Sequence, residues 1–225
     1  MGDYDDLAST SERSILGSEH LHESTKKNLE DIYLKNTLRF AKEIGFMKGK
    51  IVGLIEGNHY ATFPSGITTT QKMADILGTK YLGVLTFTRL VFHYTTMKTV
   101  IDIYAHHGQG ASRLIGGSLN RVQQMGEAAI ADIYLMGHDH KKGSASFSRM
   151  SLEQGSGELR VKQRKALVIR TGSFLRGLVD GEASYIADRA ANPTDLGVTK
   201  IEMTPRREGS EKSSRTLWVD LHVSI

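Results

Sequence analysis

The chain has no cysteine, only three prolines and a single tryptophan in 225 residues. Without cysteine there is no disulfide framework, so the chain needs no oxidising compartment and is not a disulfide-rich mini-protein. No apolar run approaches the roughly 20 residues that a membrane-spanning helix requires. The opening MGDYDDLAST is acidic and has no apolar core, unlike a secretory signal. These absences lead to the expectation of a cytoplasmic protein without a membrane partner. Hydrophobic residues at 39% and charged residues at 24% exclude a collagen-like or wholly disordered chain. A chain of this length supports one sizeable core, and the expectation is one domain over residues 1–225.

What is abundant is glycine, with 23 residues, and histidine, with nine. The net charge of +4 is mild but uneven. The stretch to Asp31 is acidic, whereas Lys141 to Arg176 carries nine Lys and Arg against Glu153 and Glu158. Such a basic stretch either steers a polyanion such as DNA or RNA or forms the solvated face of a strand pair.

The pattern alternates between helices and strands. Ser24 is expected to cap a helix whose stripe is Leu29, Ile32, Tyr33, Leu38, Phe40, Ala41 and Ile44, ending at Gly45. Lys50 to Ile55 reads as a strand, and Thr70 to Leu77 as a helix stopped by Gly78. Strands follow at Tyr81–Phe87, Thr88–His93 and Thr99–Ala105, then a helix at Asn120–Ala131 and a strand at Asp132–Met136. The remainder is β-rich, at Ala145–Leu152, Glu158–Arg170 and Leu217–Val223, with Trp218 expected in the core. Arg206 to Arg215 reads as a polar loop.

Three of these strands run into loops that carry His, Asn or Asp. In open α/β sheets, sites lie beyond the carboxyl ends of strands. Gly137-His138-Asp139-His140 offers two imidazoles one residue apart, a donor type suited to Zn, Fe, Mn and Ni. His20-Leu21-His22 has the same spacing without a strand before it and reads as a surface turn. Gly57-Asn58-His59 reads either as a turn or as an amide oxygen and an imidazole at a site. In His106-His107-Gly108 neighbouring side chains point to opposite faces, so one of the two imidazoles reaches a metal. Gly2-Asp3-Tyr4-Asp5-Asp6 reads as an acidic tail or as a source of a bridging carboxylate. The Gly-rich segment Gly108 to Gly117 lacks the Gly-Lys-Ser/Thr of a P-loop, and Arg113 in it is either a phosphate contact or an exposed loop residue.

The order of these motifs, GDxxD, GNH, HG and then GHxH, resembles the calcineurin-like metallophosphoesterase superfamily over Gly2 to His140. Thr171-Gly172-Ser173-Phe174 also looks like the family's return towards the active site. The resemblance implies a four-layer α/β/β/α sandwich of two mixed sheets and two divalent metal ions, drawn from Mn, Fe, Zn or Ni. It assigns Asp3 as the bridging carboxylate, with Asn58, His107 and His138 completing the second metal and His140 on the first. His106 is the alternative to His107. His59 faces the substrate as the catalytic imidazole, and Arg113 binds substrate phosphate.

The implied activity is hydrolysis of a phosphodiester or phosphomonoester by a metal-activated water. A nuclease of the same fold and a non-catalytic binding scaffold are the alternatives. The family opens with an Asp-x-His motif before GDxxD, and none precedes Gly2 here. The resemblance therefore implies a member that lacks its first strand and part of its first metal site. The family also often has a carboxylate after GNH, where this chain has Tyr60.

Overall fold

A computed structural model describes residues 1–5, 21–110, 112–155, 158–181, 187, 193–194, 196–209 and 216–225. Asp6, His20 and residues 210–215 of the expected polar loop lie outside the described residues. The chain is α/β and divides into two compact units, Met1–Thr86 and Phe87–Ile225. Among the described residues, no helix is long and apolar enough to cross a membrane.

In the first unit, α1 spans Glu23–Glu43. Its N-cap is His22 and not Ser24: the His22 ring accepts the Ser24 N–H, so one of the expected surface-turn histidines closes the helix end. Tyr33, Thr37 and Ala41, spaced by four, form the buried stripe. Ile32 and Leu38 of the expected stripe are half exposed instead. The next helix, α2, spans Thr69–Leu77. Thr68 and Gln71 close its start as a capping box, and Gly78 ends it in the left-handed conformation that a Cβ disfavours. Met73, Ala74 and Leu77 pack on Ala41 and Leu54.

The expected strand at Lys50–Ile55 is extended chain held by a single parallel bridge, Leu54 to Tyr81. Three backbone bonds, Leu54 N to Lys80 O, Leu82 N to Leu54 O and Glu56 N to Gly83 O, tie it there. It leads directly into the Gly57-Asn58-His59 loop.

Strand β1 spans Leu85–Tyr94, from Phe87 on in the second unit and one strand where two were expected, and turns at Thr95–Thr96 into β2, Met97–His106. Helix α3 covers Ile115–Ala128, starting five residues before the expected Asn120. The two glycines at 116–117 conceal this start from propensity. Tertiary packing overrides it: Ser118 is fully buried, and a Cβ on Gly143 would meet Ile115 at 2.8 Å. Strands β3 (Ile133–Met136), β4 (Lys142–Gly155), β5 (Glu158–Ser173), β6 (Gly197–Val198), β7 (Lys200–Glu208) and β8 (Thr216–Ser224) follow. Arg206 to Glu208, expected in a loop, thus end β7.

The main sheet runs β1-β2-β3-β5-β4, with β6 also on β5. β3 pairs parallel with both β2 and β5, while β4 and β6 pair antiparallel with β5. Alternation along β3 and β5 feeds two cores. Tyr134, Met136, Ala166 and Val168 face Val122 and Met125 of α3. Ile133, Leu167 and Ile169 face Ile201, Met203, Val219 and Leu221 of the separate β7–β8 pair. The second unit is therefore layered as helix, mixed sheet and two-stranded sheet. Trp218 lies on the outer face of β8, 39% exposed, its indole N–H donating to Asp220; the expected core position is not observed. Its neighbours Leu217 and Val219 point inward, so period two places Trp218 out.

The basic segment lies on the β4–β5 hairpin, where Lys162 and Arg164 both pair with Glu153.

Arg89 on β1 grips Asp102 on β2 through two bonds of 2.7 and 2.8 Å. Hydrogen bonding to Arg89 holds the Asp102 carboxyl below its ordinary value against a smaller opposing effect of burial. Because the folded state prefers the carboxylate, this stabilisation is present above the unfolded Asp pKa and is lost as pH falls through the depressed folded one. Thermal melts of the wild type and Arg89→Met are therefore expected to differ at neutral pH and to converge in acid. A difference that persists unchanged below pH 2 would overturn this assignment.

Candidate metal centre

The candidate donors form two groups, one in each unit. In the first unit the group is built around Asp3, whose backbone is left-handed with φ 50°. Its Oδ1 accepts the Asn58 N–H at 2.7 Å and the His59 N–H at 2.9 Å. Gly57 makes this seat possible, since a Cβ there would overlap Asp3 Oδ1 and N. Beside it, the Tyr4 hydroxyl accepts the Ile55 N–H at 3.1 Å, and burial pushes its pKa up to about 12. Asp3, Asn58 and His59, distant in sequence, are thus brought together and half-buried.

Beneath this loop lies a group that sequence reasoning missed. Glu56 is 2% exposed, and its Oε2 accepts the hydroxyls of Thr68 at 2.7 Å and Tyr81 at 2.8 Å. Thr68 is the α2 N-cap, so the helix N-terminus adds its partial positive charge. The carboxylate joins the Asn58 loop to the start of α2. Its position directly before Gly57 was the available signal, but a Glu is rarely fully buried, and its hydroxyl partners are distant in sequence.

In the second unit, His107 and His138 follow the adjacent parallel strands β2 and β3. His138 Nδ1 lies 3.2 Å from His107 Nε2, and the rings meet edge to face with centroids 5.2 Å apart. His107 is buried, while His106 turns its Nδ1 onto the Gly108 N–H at 2.7 Å. Adjacent residues thus split between the two sides, and His107 is the one against His138. Burial, and secondarily His107, hold the His106 pKa below its ordinary value.

The loops approach closely because Gly108 has φ 106° and no side chain. A Cβ there would lie 2.8 Å from Met136 Cγ and 3.2 Å from His138 Cβ. The Gly137 N–H donates to the His107 carbonyl at 3.0 Å, locking the loops together. His138 and His140 both have positive φ, 74° and 59°, and His140 is half-buried in the same turn. Arg113 is exposed ahead of α3.

A buried polar cluster under the turn carries no metal-type histidine. Asp139 accepts a short hydrogen bond from the Ser118 hydroxyl. Arg170, with a fully buried side chain, donates to the Ser118 carbonyl at 3.0 Å and to the Gly137 carbonyl at 2.7 Å, and lies 3.6 Å from Asp139. Burial lowers the Arg170 pKa and Asp139 opposes that shift; the guanidinium stays charged at neutral pH.

The donor chemistry of the His107–His138 pair fits a transition metal. Metal–imidazole bonds of about 2.0–2.1 Å separate two nitrogens by roughly 2.8–3.0 Å at octahedral angles and roughly 3.3–3.4 Å at tetrahedral ones. The observed 3.2 Å lies between these values and is also the length of a ring-to-ring hydrogen bond. No protein-family model, curated protein or solved structure matches the chain.

Proposed function

We propose that this chain is a metal-dependent phosphoesterase that hydrolyses a phosphodiester or phosphomonoester through a metal-activated water. The supporting observation is the convergence of the His107 and His138 ring nitrogens, 3.2 Å apart, beyond the ends of adjacent parallel strands. The resemblance supplies the remaining roles: Asp3 would be shared by two divalent metals, with Asn58, His107 and His138 holding the second and His140 the first. The metals, drawn from Mn, Fe, Zn or Ni, supply when bound an activated water and a clamp on the phosphate.

The chain's own residues hold and protonate. Asp3 accepts the backbone N–H groups of Asn58 and His59 and so fixes the start of that loop. His59 gives the leaving oxygen its proton, a task suited to imidazole near neutral pH. Arg113 binds the substrate phosphate. The same reading completes a four-layer sandwich, supported by the three layers of Phe87–Ile225. The compartment proposed is the cytoplasm.

The test is hydrolysis of an aryl phosphodiester and an aryl phosphomonoester with added Mn²⁺ against a chelated control. Turnover with metal, abolished by chelator and by His138→Ala, is the expected result. No turnover and no binding of Mn²⁺, Fe²⁺, Zn²⁺ or Ni²⁺ would refute the reading.

A nuclease of this type is the second reading, favoured by the Arg149, Arg160, Lys162, Arg164 and Lys165 side chains on the β4–β5 hairpin. It requires DNA binding that weakens steeply with salt; binding indifferent to salt excludes it.

A further inference from the structure

We infer that Arg170 is a positioning residue for the Gly137–His140 turn, holding it so that His138 faces His107. This deepens the metal-centre reading and rests on it for the consequence in metal binding. The turn carries left-handed backbone at two non-glycine residues within three positions. Such backbone persists only where its surroundings over-determine it. The surroundings here are identifiable. Arg170 Nη1 donates to the Gly137 carbonyl, immediately before the first left-handed residue, at 2.7 Å. The Asp139 N–H donates to that same carbonyl at 3.0 Å. The Asp139 carboxylate, between the two left-handed residues, is held by the Ser118 hydroxyl and faces Arg170 at 3.6 Å.

Arg170 Nε also donates to the Ser118 carbonyl at 3.0 Å, so one planar side chain fixes both α3 and the turn. Only the guanidinium fork reaches both carbonyls at fixed separation; an ammonium is a single point donor. The Arg170 side chain is 0% exposed and the Asp139 side chain 1%, so this geometry is not diluted by water. Arg170 touches neither candidate donor ring directly. It acts through Gly137 and Asp139, which flank His138.

Two variants separate positioning from bulk stability. Arg170→Lys keeps the charge opposite Asp139 and loses the fork. Asp139→Asn keeps the side-chain shape and still accepts from Ser118, and it serves if Arg170→Lys does not fold. Each is measured for cooperative unfolding, for the ring-to-ring nuclear Overhauser effect between His107 and His138 in the metal-free protein, and for Mn²⁺ affinity by calorimetry. The expected result in a folded variant is a weakened His107–His138 effect and an Mn²⁺ Kd raised about 10–100-fold, as for other groups that orient metal ligands. Wild-type ring contact and wild-type Kd in a folded Arg170→Lys, with only the melting temperature lowered, overturn the inference. If the wild type binds none of the divalent metals, the metal reading fails and the metal-free ring contact alone decides the role of Arg170.

Discussion

His107→Ala is expected to weaken Mn²⁺ binding at least about 100-fold, whereas His106→Ala leaves it within a few-fold of wild type. The contrast follows from where adjacent strand residues point. His107 is 2% exposed and its Nε2 lies 3.2 Å from His138 Nδ1. Its loss removes one donor and leaves the other without the neighbour that orients it. Loss of a mere supporting group costs a metal site about 10–100-fold, so loss of a donor is expected to exceed that range. His106 instead accepts the N–H of Gly108 within its own loop, at 2.7 Å. Its removal frees the N–H of Gly108, a buried residue, which costs stability but removes no donor that faces His138. Calorimetric titration of both variants with Mn²⁺, after each is shown to unfold cooperatively, measures the contrast. The reverse ranking would reassign the donor to His106.

Arg170→Met is expected to destabilise the protein by about 3–5 kcal/mol, the usual cost of leaving one member of a buried ion pair without its partner. Asp139 would remain a nearly inaccessible carboxylate with only Ser118 and the Lys141 N–H against it. The Gly137 and Ser118 carbonyls would each lose a charge-assisted donor. The pair itself is a modest net stabiliser: Nη2 of Arg170 is buried and has no hydrogen-bond partner among the described residues. The double variant Arg170→Met, Asp139→Leu is therefore expected to recover much of the single variant's loss, because it removes both charges. Urea unfolding of the second unit's transition reads both values. A loss below about 1 kcal/mol for Arg170→Met would mean that water reaches Asp139 and that the cluster is not sealed.

Local elements of this fold were largely legible. Gly78 ends α2 where the sequence places a stop, and the strand into His106-His107-Gly108 runs to within a residue of its expected end. These features depend on neighbours a few positions away: a cap, a left-handed glycine, a period of two. Errors arose where a distant partner decides. Lys50–Ile55 has a strand's composition, yet its ladder stops at one bridge. The start of α3 runs through two glycines because Ser118 is anchored to Asp139, 21 residues away. Trp218 looked like core material, but the alternation of β8 turns Leu217 and Val219 inward instead.

The candidate centre divides in the same way. The sequence by itself determined which donor types stand at the strand ends: a carboxylate after glycine, an amide beside an imidazole, and imidazoles at 106, 107, 138 and 140. Nine histidines in a cysteine-free chain already excluded thiolate ligands and made imidazole the abundant nitrogen donor. Only the tertiary structure decided that His107 meets His138 across 31 residues, and that Arg170 reaches the Gly137 carbonyl across 33. It alone showed Glu56 and Asp139 buried rather than solvated. The physical reason is that a charge enters an interior only where its partners already wait, and those partners are set by sheet register and helix docking. Spacing along the chain carries neither.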